Sequence, residues 1–130
     1  MKKILIVDDE PHAIRILRQA LERAGYLVDD ASNGLIALEK IRQQAPDVLI
    51  TDIQMPRMSG QKLCQQIQIE MPQREFLIFI VTSRTEIEHR EWTANINNLM
   101  FLEKPVSARQ LIAELAGYFS QEEPHRKRLT

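Results

Sequence analysis

Hydrophobic and polar residues recur along the chain on two different periods. Short apolar runs at 4–7, 47–51, 76–81 and 99–102 are bounded by polar or turn residues, and runs of this length read as strands. Those at 4–7, 76–81 and 99–102 are apolar on both faces, the pattern of strands covered by helices from both sides. A briefer alternation makes 26–29 a weaker strand candidate. The intervening stretches carry helical spacing. Ile14, Leu17, Leu21 and Ala24 fall on one face, Pro11 suits a first helical turn, and Gly25 ends the helix. Ala37, Leu38 and Ile41 mark a second helix that Asn33 can cap. Leu63, Cys64 and Ile67 mark a third, starting near Ser59 and stopping before Pro72. A fourth, at 86–95, has Ile87, Trp92 and Ile96 nearby but no clean stripe. The fifth starts at Ser107, with Gln110 completing a capping box and Leu111, Ile112 and Leu115 forming its apolar face.

The order is strand then helix, five times over. Such alternation predicts an α/β fold, a doubly wound parallel sheet with right-handed crossovers and helices on both faces. Ligands of open sheets of this kind sit outside the carboxyl ends of the strands. Residues 1–120 form one expected domain, and the polar stretch 121–130, with Pro124 and a basic run, is expected as a frayed tail or the start of a linker.

Composition narrows the classes. The chain has 130 residues, 44% hydrophobic and 27% charged, which suits a single globular core. A formal net charge of −1 provides no basic field for direct nucleic-acid binding. No apolar run approaches the roughly 20 residues that span a bilayer, so no membrane partner is expected. Cys64 is the only cysteine, which rules out an internal disulfide and favours a cytoplasmic location. Lys2 and Lys3 precede an apolar stretch, but it ends within a few residues in three acids and cannot serve as a secretory signal.

Those acids are the first chemical feature. Asp8, Asp9 and Glu10 follow the first strand directly. Two carboxylates about 4 Å apart repel by roughly 4 kcal/mol at an effective dielectric near 20. Asp52 ends the strand of DVLITD, Thr82 and Ser83 end FLIFIVTS, and Lys104 follows LMFLE. Taken singly, each has an ordinary structural explanation. Paired acids favour a helix N-terminus. Asp52 suits a turn, Thr82 a helix cap, and Lys104 before Pro105 a solvated loop. Their occurrence together, each on the matching strand end, is harder to obtain from structural need alone. Carboxylates at one sheet edge suit a hard divalent cation, and Mg²⁺ needs few carboxylates because it keeps several waters. With a lysine and a hydroxyl beside it, such a site suits a phosphoryl group, one carboxylate acting as nucleophile.

At this point the chain resembles the receiver domain of two-component response regulators, chemotaxis regulators among them, over about residues 2–119. IVDDE matches the acidic pair. DVLITDIQMPRMSG matches the phosphoacceptor segment, with Met55, Pro56 and Gly60 following Asp52. IVTS places Thr82 thirty residues after Asp52, and FLEKP places Lys104 twenty-two further on. The resemblance implies a flavodoxin-like sheet of order 2-1-3-4-5. It implies that Asp8 and Asp9 hold Mg²⁺, one directly and one through water, with Asp52 and the backbone carbonyl of Gln54 as further ligands. Asp52 would accept phosphate from a phosphohistidine on a histidine kinase or phosphotransfer protein. Thr82 and Lys104 would contact the phosphoryl oxygens, Thr82 and Phe101 would form the switch, and Pro105 would follow a cis bond. By the same resemblance, Gln54 and Arg84 would occupy positions that tune phosphoryl lifetime in the family. The domain would promote its own phosphotransfer and autodephosphorylation rather than act as a separate enzyme, and would signal to a downstream protein or a fused output domain. In place of the family's frequent Gly-Ala before the fifth strand stand Asn97 and Asn98. In place of the acidic pair that follows stand Leu99 and Met100, which argues against a charge-zipped symmetric dimer.

Other readings remain. A phosphatase of the haloacid dehalogenase kind requires Asp-x-Asp after its first strand, which DDEPH lacks. A nucleotide-binding enzyme requires GxxxxGK[ST] or GxGxxG, and neither occurs. A pseudo-receiver would dock without chemistry, and a fragment of a longer regulator or hybrid kinase would look the same over these residues. His12, His89 and His125 are too scattered for a metal set and are expected on the surface. Cys64 is expected to be buried and inert. Trp92 and Met100 suit either core or a partner surface.

Overall fold

The computed structural model describes residues 1–83 and 89–129, residues 122–129 as backbone only. Five parallel strands, β1 (Lys3–Val7), β2 (Leu27–Ala31), β3 (Val48–Asp52), β4 (Leu77–Thr82) and β5 (Leu99–Glu103), form one sheet of order β2-β1-β3-β4-β5. They alternate with α1 (Pro11–Arg23), α2 (Gly34–Gln43), α3 (Gly60–Glu70), α4 (Arg90–Thr93) and α5 (Ala108–Leu129). This is the flavodoxin-like doubly wound fold.

The two faces follow from the twofold period of the strands. Leu5, Val7, Leu49, Ile78 and Ile80 point to one side and pack with Ala37, Leu38, Ile41, Leu63, Cys64 and Ile67 of α2 and α3. Ile4, Ile6, Val48, Ile50, Leu77, Phe79 and Val81 point to the other and pack with Leu21 of α1 and Leu111 and Leu115 of α5. The helix starts also obey local chemistry. Asn33 Oδ1 accepts the Ile36 N–H at 3.0 Å, Ser59 Oγ accepts that of Lys62 at 3.1 Å, and Ser107 Oγ accepts that of Gln110 at 3.2 Å. Pro11 opens α1, and Gly25 follows it at φ 98°, a backbone state that suits glycine.

Three expectations need correction. The run at 99–102, apolar at each position and expected to be covered on both faces, leaves Met100 39% exposed on β5, which takes the expected edge position. The weak strand at 26–29 is β2, which extends to Ala31. Its acids are tolerated because Lys40 Nζ lies 2.9 Å from Asp29 Oδ1 and Arg18 pairs with Asp30. The fourth helix is the single turn of α4; residues 84–88, with Arg84, Glu86 and Ile87, lie outside the described residues. The backbone of α5 runs on over 121–129.

Parallel register carries the strand ends to one edge. Val7 lies opposite Thr51, Asp52 opposite Val81, and Thr82 opposite Glu103. The chain leaving Asp52 is held by two glycines. The Gly60 N–H donates to the Ile53 carbonyl at 2.7 Å, and a Cβ on Gly60 would sit 2.0 Å from the Asp52 carbonyl oxygen. The Gly34 N–H donates to the Met58 carbonyl at 3.1 Å, and a Cβ there would meet the same oxygen at 2.6 Å. Gly60→Ala therefore forces the backbone beside Asp52 to move. We expect it to lower unfolding free energy by about 1–3 kcal/mol, the usual range for overpacking, as measured by urea denaturation.

Candidate functional site

Asp52 closes β3, which like β4 is buried along its whole length, and is itself only 7% exposed. A carboxylate so placed needs partners on both oxygens. Oδ1 accepts the Ile53 N–H at 2.8 Å, and Oδ2 accepts a hydrogen bond from Lys104 Nζ at 3.0 Å. Lys104 is brought there by register, since it follows β5 and its own N–H donates to the Thr82 carbonyl at 2.9 Å. The Lys104–Pro105 peptide is cis.

Asp8 and Asp9 stand directly after β1. The Asp8 N–H donates to the Ala31 carbonyl at 3.1 Å, and its Oδ1 accepts the Glu10 N–H at 3.0 Å. Carboxylate oxygens of Asp8, Asp9 and Asp52 lie within 4.8 Å of one another. Burial raises the Asp8 pKa above the ordinary carboxylate value, and the charges of Asp52 and Asp9 add to that, against the Glu10 N–H and Lys104. For Lys104, burial opposes the charge, but the hydrogen bond to Asp52 and the charges of Asp52, Asp8 and Asp9 prevail and raise its pKa. Among the described residues, the Lys104 ammonium group thus faces the carboxyl groups of Asp8, Asp9 and Asp52. An all-oxygen donor set short of positive charge fits a hard cation, and Mg²⁺ in particular.

The Asp52–Lys104 pair borders two cavities, each of about 450 Å³. One is mostly apolar and reaches α1 through His12, Ile16 and Leu17. The other is polar, and Gln54, Thr82, His89 and Trp92 line it with the ion pair. Thr82 ends β4 at 5% exposure. Gln54 is exposed in the loop after Asp52. Phe101 is half-buried on β5, opposite Ile80, and packs against the α2–α3 side of the core. The structure therefore gathers Asp8, Asp9, Asp52 and Lys104 directly, with Thr82 and Gln54 around the same opening and Phe101 behind it. Arg84 lies outside the described residues.

His89 is the residue that sequence reasoning missed. Expected as a surface histidine, it is half-buried, with Nε2 3.4 Å from the Thr82 hydroxyl. Its ring stacks with Phe101 at 6.3 Å, and Nδ1 accepts the Trp92 indole N–H at 3.1 Å. The available clue was the pairing of His89 with Trp92 three residues on, the spacing of one helical turn. Trp92 packs toward the core, whereas Met100 stays on the surface. Cys64 is 1% exposed, and burial pushes its thiol pKa up to about 12, which leaves it unreactive.

A family model described as response regulator receiver domain matches residues 4–116. The transcriptional regulatory protein for alkaline phosphatase synthesis, PhoP of Bacillus subtilis, is 31% identical over 122 residues, covering 94% of this chain and 50% of its own length. The probable transcriptional regulator ycf27 of Guillardia theta is 34% identical over 114 residues, covering 88% and 44%. The chain spans about half the length of the curated relatives it matches. Among solved structures, the chemotaxis response regulator CheY4 of Vibrio cholerae aligns with TM-score 0.80 at 28% identity, over 89% of this chain and 97% of its own. A CheY-like receiver domain protein of Methanospirillum hungatei aligns with TM-score 0.84 at 27% identity, over 96% and 98%. Among the described residues, no helix is long and apolar enough to cross a membrane.

The raised Asp8 pKa sets a sign for stability. Its folded value exceeds its ordinary 3.8, so its contribution is fully present below that pH and is lost as pH rises through the folded value. Asp8→Asn should therefore stabilise the metal-free protein at pH 7. That gain should shrink as pH falls toward 3.8, as followed by thermal melts in chelator across pH.

Proposed function

We propose, because the chain belongs to the response regulator receiver domain family, that it is a phosphoacceptor module of two-component signalling with Asp52 as the acceptor. The observation that carries this reading is the placement of Asp52, nearly buried, bonded to Lys104 at 3.0 Å, with Asp8 and Asp9 oxygens within 4.8 Å. A carboxylate oxygen of Asp52 attacks the phosphorus of a phosphohistidine on a histidine kinase or phosphotransfer protein. The phosphorus–nitrogen bond breaks, its electron pair leaves with the imidazole, and an acyl phosphate forms. Lys104 then turns its ammonium from the carboxylate to a phosphoryl oxygen, and the Thr82 hydroxyl donates to another. Asp8, Asp9, Asp52 and the Gln54 backbone carbonyl are the residues that would hold Mg²⁺. Bound there, the ion supplies charge neutralisation at the phosphoryl oxygens.

The Lys104–Asp52 pair favours this chemistry over a docking-only pseudo-receiver. Phosphorylation adds roughly −1.5 to −2 charges, by analogy with phosphorylated hydroxyl residues. Thr82 and Phe101 respond, and the face built from α4, β5 and α5 changes its affinity for a partner. Met100, 39% exposed on that face where an acidic pair would support a symmetric dimer, favours a heterologous protein. In this reading residues 1–120 are the receiver unit and 121–130 a tail or the start of a linker. The longer relatives agree with a fused output domain as one form of the target.

Incubation with acetyl phosphate and Mg²⁺ should add one phosphoryl group by intact-mass measurement, and none to Asp52→Asn. Equal labelling of that variant would move the acceptor elsewhere.

Mg²⁺ alone should raise the melting temperature, with a stabilisation of about 2.7 kcal/mol at a hundredfold excess over Kd. Asp9→Ala should be more stable than the parent without metal and should lose the Mg²⁺ response. A full response in that variant would remove Asp9 from the site.

A further inference from the structure

His89 stands at the junction of three groups that the proposed function leaves unconnected: the Thr82 hydroxyl, the Phe101 ring and the Trp92 indole. The turn of α4 sets it there. Thr93 Oγ1 donates to the His89 carbonyl at 2.7 Å, which ties the backbone of His89 to that turn. Trp92, three residues on, returns to the same side of the chain and meets the imidazole edge-on, with ring centroids 5.9 Å apart at 79°. Phe101 covers the imidazole face, 6.3 Å away at 20°.

The direction of each hydrogen bond follows from donor chemistry. An indole N–H can only donate. Nδ1 of His89, 3.1 Å from it, is therefore the acceptor and carries no proton. The proton of the neutral ring then resides on Nε2, which faces the Thr82 hydroxyl at 3.4 Å. Nε2–H donates to Oγ1, and Thr82 keeps its own hydroxyl hydrogen for another acceptor. This tautomer also excludes one role. Although His89 lines the cavity beside Asp52, an Nε2 that bears the proton is not a base for a hydrolytic water.

We infer that His89 is a positioning residue that orients the Thr82 hydroxyl and passes its displacement to the Trp92 indole and Phe101. The inference rests on the phosphoacceptor reading for what displaces Thr82, namely a phosphoryl group on Asp52. When the hydroxyl is drawn toward that group, the imidazole either follows or loses the bond. In both cases the angle and length of the Trp92 N–H bond to Nδ1 change. The chemical state of a buried site is thereby carried to a residue on α4 through two hydrogen bonds.

The chain has a single tryptophan, so its indole N–H gives one resolved resonance. In the unphosphorylated protein, Thr82→Val removes the acceptor at nearly constant shape. It should shift that resonance in the parent and leave it in place in a His89→Phe background, where the ring remains but both nitrogens are gone. His89→Gln, which restores a donor and an acceptor, should recover part of the shift. A Thr82→Val shift of equal size with and without the imidazole, or no shift in the parent, overturns the inference. A second arm adds acetyl phosphate and Mg²⁺. The parent should change its Trp92 emission, and His89→Phe should lose that change while gaining the same phosphoryl mass. An unaltered emission change in His89→Phe also overturns the inference. If neither chain gains mass, the phosphoacceptor reading fails, and the Thr82→Val comparison still decides the role of His89.

Discussion

Mutual repulsion of carboxyl groups at one end of a parallel sheet is the constraint around which this molecule is organised. The groups arrive there because the strands pair in register. Val7 opposite Thr51 fixes where Asp8 emerges relative to Asp52, and Thr82 opposite Glu103 fixes where Lys104 emerges. Nothing local to DDE or to LITD would bring these residues together. The sheet does so, and its apolar interior, with β3 buried along its whole length, supplies the stability that offsets the cost. Among the described residues, the ammonium group of Lys104 is the cation bonded to Asp52 directly. Burial raises the pKa of Asp8, and the neighbouring charges of Asp52 and Asp9 add to it. A folded protein tolerates such a site because strain and unpaired charge at functional positions are compensated elsewhere.

Much of this was legible in the sequence, for identifiable reasons. The helical stripe of Leu63, Cys64 and Ile67 and the caps at Asn33, Ser59 and Ser107 depend on spacing and on hydrogen bonds a few residues long. Asp8, Asp9, Asp52 and Lys104 were legible as a set because a βα alternation already dictates which strand ends share an edge. Other features depend on what lies across the fold. The run at 99–102 is apolar at each position, as in a strand covered on both faces, yet on β5 Met100 meets solvent. Conversely, Asp29 and Asp30 would discourage a strand, and they belong to β2 because Lys40 and Arg18, from two different helices, pair with them. His89 was illegible for a similar reason. Its role comes from Thr82 on β4 and Phe101 on β5, neither of which its own segment specifies.

The site also divides its surroundings. The Asp52–Lys104 pair separates a mostly apolar cavity beside α1 from a polar one lined by Thr82, His89 and Gln54. The two sides offer different chemistry to whatever approaches. The α1 side presents aliphatic groups that favour burial of a partner's surface, and the other presents hydrogen-bonding groups that respond to charge at Asp52.

The glycine clamp has a consequence for how such a site can diversify. The segment from Ile53 to Ser59 is held at both ends through main-chain hydrogen bonds made by Gly60 and Gly34, residues outside it. Those bonds, together with Ile53, Met55 and Met58 packed against the core, fix its path, and Gln54 and Pro56 are exposed on it. Exposed positions on a path fixed in this way accept substitution with little effect on folding. Under the proposed function, a change at Gln54 would therefore bear on the lifetime of the phosphoryl group at Asp52 and hardly at all on stability, so the rate of the signal could be altered without compensating changes in the core.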